Sequence, residues 1–177
     1  MECVLIAAYW LVPSGTSCQV AAEPGPAAGR AEQEPATRTS SGLAVVTVAE
    51  RRIVTNAVSG VQIRFVPAER LAVGDEIYFT LRVRNTAAAP IDDAVIVKPI
   101  PRNVLYVDDS AVGPAAAVAV SIDGGVTFAA PEDSTVHRID GTTRQAIATD
   151  YTHIRWQLKH PLAPGATALL RFRGVFR

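Results

Sequence analysis

Glu76-Ile77-Tyr78-Phe79-Thr80-Leu81-Arg82-Val83-Arg84 is the stretch that decides the fold class. Ile77, Phe79, Leu81 and Val83 recur at every second position, and Tyr78, Thr80, Arg82 and Arg84 fill the places between them. Side chains along a strand point alternately to its two faces, so a period of two predicts a half-buried β-strand. Gly74-Asp75 before it and Asn85-Thr86 after it carry turn chemistry.

The same reading extends outward in both directions. Residues 43–54 are rich in Val and Ile, and 61–66 return after the turn at 56–60. Residues 94–97 end at Lys98-Pro99-Ile100-Pro101, where proline cannot donate to a sheet ladder. A short strand is expected at 104–107. Segments 117–122 and 126–129 flank Asp123-Gly124-Gly125, a hairpin signal because glycine accepts positive φ. Over 151–158, Ile154, Trp156 and Leu158 share one face while His153, Arg155 and Gln157 take the other. Over 166–176, Leu170, Phe172 and Phe176 are expected inside, with Arg171 and Arg173 outside. Only 143–150 offers room for a turn of helix. The expectation is all-β: an immunoglobulin-like β-sandwich of about 7–9 antiparallel strands over residues 43–177.

Composition suits that architecture. The chain is 49% hydrophobic but only 6% aromatic, so aliphatic side chains must fill most of the core. Its 17 basic residues balance 17 acidic ones, which gives no global field toward nucleic acid. Both cysteines, Cys3 and Cys18, lie near the start, so residues 43–177 have neither a disulfide nor a thiolate metal site.

The N-terminal region reads as an export signal. Val4 to Val12 form an apolar run ended by Pro13, too short to span a bilayer, which takes about 20 apolar residues. Val20-Ala21-Ala22 supplies small residues for cleavage, giving a signal peptide at 1–22. Met1-Glu2-Cys3 carries no Lys or Arg, which suggests a true start upstream. A lipid anchor at Cys18 is the rival reading, against which stands Gly15 where Leu is usual three residues ahead. Residues 23–42, made of Pro, Ala, Gly, Glu, Ser and Thr, read as a disordered linker. An exported location follows: periplasm, outer envelope or extracellular.

Val66-Pro67-Ala68, Val73-Gly74-Asp75-Glu76-Ile77 and Arg84-Asn85-Thr86 occur in that order, followed by Pro90, Val95-Ile96-Val97, Pro99-Ile100-Pro101 and Tyr106-Val107. Asp123-Gly124-Gly125, Ala148 to Trp156 and Leu162-Ala163-Pro164-Gly165 continue the series. This succession resembles the conserved-repeat domain of unknown function found in bacterial and archaeal surface proteins. Val73 stands where Pro is common and Ala87 where Gly is common, and the unit occurs once. The resemblance implies an immunoglobulin-like sandwich outside the cytoplasm and brings no active site with it.

Candidate chemistry is sparse. His137, His153 and His160 match no metal-binding spacing. Asp92-Asp93 and Asp108-Asp109 could bridge Ca²⁺ between loops, but the ligand spacing of a calcium loop is absent. No G-x-S-x-G elbow presents a serine nucleophile. Ser121 to Phe128 fit an Asp-box hairpin, where the carboxylate of Asp123 would accept turn N–H bonds. No catalytic site, cofactor or metal is expected. Arg155, Arg171 and Arg173, with His153 beside them, would form a basic surface stripe if the last two strands were neighbours. The function expected is a non-enzymatic structural, adhesive or protein-interaction role, with an envelope protein or surface polymer as partner. The alternative is a small carbohydrate-binding module using Tyr78, Tyr106 or Tyr151.

Overall fold

Residues 37–57 and 60–177 are described by the computed structural model of the chain. The strands are β1 (Arg38–Thr39), β2 (Leu43–Ala57), β3 (Gly60–Pro67), β4 (Glu76–Asn85), β5 (Val95–Pro99), β6 (Val104–Tyr106), β7 (Ala116–Ser121), β8 (Thr135–His137), β9 (Thr143–Gln145), β10 (His153–Leu158) and β11 (Thr167–Phe176). The architecture is all-β, and every strand pairing is antiparallel. Five strands lie in the order β3-β2-β4-β11-β6, four in the order β1-β5-β10-β7, and β8 pairs with β9 in a small ribbon. A single 3₁₀ turn at Pro131–Asp133 is the only helical element among the described residues.

The alternation in β4 works as its sequence dictates. Ile77, Phe79, Leu81 and Val83 are buried, and Arg82 and Arg84 are exposed. Neighbouring β11 repeats the pattern with Ala168, Leu170 and Phe172. Trp156 and Ile154 on β10 point into the same core from the other sheet. The Trp156 and Phe172 rings sit 6.2 Å apart across the two layers, and Phe172 stacks on Phe79 at 4.5 Å. Burying each such side chain contributes about 1.5–3 kcal/mol, so the aliphatic and aromatic core supplies the driving force without crosslinks. Among the described residues, the buried Trp156 Nε1–H has no hydrogen-bond acceptor.

One polar side chain and one glycine fix neighbouring segments to this frame. Asn85 is wholly buried; its Nδ2 donates to the carbonyls of Leu162 (2.7 Å) and Ala89 (2.9 Å), and its Oδ1 accepts from the Ala87 N–H (2.8 Å). Gly174 lets β6 approach β11, since a Cβ there would overlap the Val104 side chain.

Several expectations shift. Arg38–Thr39, inside the stretch read as linker, pairs with Val97 and Ile96 of β5, and Ser40 Oγ accepts from the Val95 N–H at 2.9 Å. The folded region therefore begins before residue 43, because the exposed edge of β5 offers backbone partners. The 126–129 segment is not a strand; it meets β7 through one bridge, Val120 to Ala129. The 143–150 segment holds β9 rather than helix. The expected signal peptide, the lipidation candidate Cys18 and residues 23–36 of the linker lie outside the described residues. Among the described residues, no helix is long and apolar enough to cross a membrane.

Candidate functional site

The outward face of the five-stranded sheet is where polar residues are expected and apolar ones occur. Register aligns Leu169, Arg82 and Val46 across β11, β4 and β2, and Arg171, Thr80 and Val48 in the next row. Val46 is 59% exposed, and Val48 and Leu169 are also open to solvent. Beyond Arg51 the strand β2 outruns β4 and continues with β3 as a two-stranded ribbon. There Val54 lies opposite Ile63, Arg52 opposite Phe65 and Asn56 opposite Val61, so the exposed apolar surface extends onto the ribbon.

Polar side chains interleave with these apolar ones: Arg82 stands between Val46 and Leu169, and Thr80 between Val48 and Arg171. Arg52, Arg82, Arg84 and Arg171 are exposed, while Arg173 Nη1 donates to Glu76 Oε1 at 2.8 Å. Glu76 also accepts from Tyr78 Oη at 3.0 Å. Glu50, Phe65, Tyr78, Thr80 and Arg171 line a shallow groove in the middle of the face. The face can therefore bury apolar surface while offering guanidinium donors to carboxylates set among the apolar groups of a partner.

The basic stripe expected from the last two strands is split by topology. Arg171 and Arg173 project from β11 in the five-stranded sheet; His153 and Arg155 project from β10 in the four-stranded sheet. The chain crosses between layers after Leu158, so β10 and β11 are not neighbours and the two pairs occupy opposite outer faces. Arg155 instead lies over the Phe128 ring, 4.8 Å from its centroid. His153 is half-buried, not solvated: its ring packs on Gly125, and Nδ1 meets Thr152 Oγ1 at 3.1 Å. Burial, with Arg38 acting in the same direction, holds its pKa below the usual imidazole value, against an opposing pull from Asp123.

Asp123 sits as an Asp-box turn requires. Its carboxylate accepts from the Val126 N–H (3.1 Å), the Thr127 N–H (2.9 Å), Thr127 Oγ1 (2.6 Å) and Ser121 Oγ (2.7 Å). Those hydrogen bonds, the Thr127 hydroxyl foremost, hold its pKa far below the ordinary carboxylate range. Both carboxylate oxygens serve the turn, and Gly124 and Gly125 complete it at φ 78° and 83°. Asp93 and Asp109, the second members of the two aspartate pairs, also have left-handed φ of 49° and 55°, a conformation Asp tolerates in turns. No cluster of three His, Cys, Asp or Glu side chains able to hold a metal occurs among the described residues.

Of the tyrosines considered for glycan stacking, Tyr106 and Tyr151 are buried in the core, 5.9 Å apart. Tyr78 alone reaches an outer face. The sequence reading gives the apolar residues of that face no side, since 43–54 and 61–66 read there only as strands. The signal was present: Leu43-Ala44-Val45-Val46 and Val48-Ala49 break the period of two, as a strand apolar on both faces does. No family model, curated protein or solved structure matches this chain.

Proposed function

We propose that this chain is an exported, non-enzymatic interaction domain of the cell envelope, and that it engages a partner protein through the outer face of its five-stranded sheet. The observation that carries this reading is the number of open apolar side chains on one face, Val46, Val48 and Leu169 with Val54, Val61, Ile63 and Phe65 of the β2–β3 ribbon, interleaved with arginines. A sheet face left to water normally carries polar residues at its outward positions, and this many outward apolar side chains cost solubility unless something covers them. The partner it fits is a protein surface that sets carboxylates among apolar groups. An acidic surface polymer would use the arginines but leave the valines in water.

Export rests on the apolar run at 4–12 and the small residues at 20–22. The immunoglobulin-like assignment rests on strand placement: β2-β4-β11-β6 opposite β5-β10-β7 parallels a four-on-three sandwich. The chain threads those positions in a different order, since its last strand lies between β4 and β6. The likeness to the surface-protein repeat agrees with an envelope setting.

A photo-crosslinking side chain placed at Val48, Leu169 or the exposed Ile139 in the producing cell tests the reading. Discrete protein adducts from positions 48 and 169, and none from 139, are expected in the envelope fraction. Adducts of equal yield at all three, or none at any, would contradict it.

A further inference from the structure

We infer that β3 is a docking edge for a second copy of this chain, which pairs with it antiparallel about Ile63 and joins the two five-stranded sheets. This inference stands apart from the outer-face reading and uses the edge of the sheet rather than its face.

The other outermost strands are short or covered, and the free side of β2 runs only over residues 52–57, where Arg52 charges it. β1 spans two residues and β6 three. The outer side of β7 is met by Ala129, which exchanges backbone hydrogen bonds with Val120 at 2.9 and 3.1 Å. β3 runs for eight residues, and all but Val66 are exposed. Its backbone can be phased. The Ala68 N–H donates to the Ala49 carbonyl at 3.0 Å, and the register is regular from Glu50–Pro67 to Ala57–Gly60. Alternation then turns the N–H and C=O of Val66, Arg64 and Gln62 toward β2, and those of Val61, Ile63 and Phe65 away from it. Pro67, at the next outward position, has no N–H to leave unpaired.

An edge this long and apolar invites another strand, and natural edges are usually defended with Lys or inward charges. Here Arg64 is the only charge. That selects the partner and the register. Two copies centred on Ile63 place Ile63 against Ile63 and Val61 against Phe65, and set Arg64 against Gln62 on the other side. A slip of two residues in one direction would oppose Arg64 to Arg64; a slip in the other shortens the overlap toward the turn. An odd slip would mismatch the outward-pointing backbone groups. Only the Ile63-centred pairing bonds all the outward groups without opposing like charges.

Sedimentation equilibrium of the full chain over a wide concentration range tests the inference. Wild-type protein should show a monomer–dimer equilibrium. Gln62→Glu puts a carboxylate opposite each Arg64 and should tighten the dimer about fivefold, while Gln62→Arg should weaken it by a similar factor. Leu169→Lys, on the outer face but remote from β3, should leave it unchanged. A monomer at every concentration, a dimer that responds alike to both Gln62 substitutions, or one lost on Leu169→Lys would overturn the edge pairing; circular dichroism of each variant verifies folding.

Discussion

Phe65 on β3 and Tyr78 on β4 meet edge to face across the intervening strand β2, with ring centroids 5.0 Å apart and planes at 84°. The contact bridges the sheet proper and its protruding ribbon. An aromatic pair of this geometry contributes about 0.5–1.5 kcal/mol beyond its buried area. A double-mutant cycle of Phe65→Ala and Tyr78→Ala, read by urea unfolding, should return a coupling energy in that range. Additive losses would mean that the rings do not hold the ribbon.

Asn85 is the polar pivot of the loops that follow β4. Asn85→Ala leaves the Ala87 N–H and the Ala89 carbonyl without their partner and should cost about 2 kcal/mol in unfolding free energy. Asn85→Asp should be worse at neutral pH, because a carboxylate would face the Leu162 and Ala89 carbonyls with no proton to give them.

The Asp123 turn makes a separate prediction. Asp123→Asn replaces one acceptor oxygen with an NH₂ group that conflicts with the Thr127 donors. Amide exchange at Val126 and Thr127 should accelerate, with little change in the β4 and β11 amides. Unaltered protection at those two positions would remove the turn role.

Acid should weaken the fold in two steps. The unfolded chain protonates His153 near pH ~6.5, whereas burial makes the native imidazole take up its proton only at lower pH. Stability therefore falls as pH drops from ~6.5 toward that lower native value. Asp150 acts in a second window. Arg144 donates to both its oxygens, at 2.6 and 2.8 Å, and holds its pKa low. Its contribution is intact above the ordinary carboxylate value near ~3.9 and is lost as pH falls through the depressed native one. Thermal melts from pH 8 to 3 should show both declines, and His153→Gln should flatten only the first.

Much of the fold was legible because β4, β10 and β11 alternate cleanly, and the turn residues Gly74, Asn85 and Asp123 mark real turns. β1 and β9 were not, since two- and three-residue strands carry no period and exist only where a neighbouring edge offers hydrogen bonds. The expected Arg155–Arg171 stripe failed for a related reason: alternation fixes which side of a strand a residue takes, not which sheet the strand joins. The outer apolar face was half legible. Val46 and Val48 break the alternation in sequence, yet only the register with Leu169 and Thr80 reveals that they share one surface.

An interaction face on the five-stranded sheet is covered where the protein works. Hydroxyl-radical footprinting, applied to the purified chain and to the chain in its native envelope fraction, measures this directly. Val46, Val48 and Leu169 should oxidise readily when purified and be protected in the native fraction, while exposed Val126 and Ile139 react alike in both. Equal oxidation of all five side chains in the two preparations would contradict the interaction-face reading.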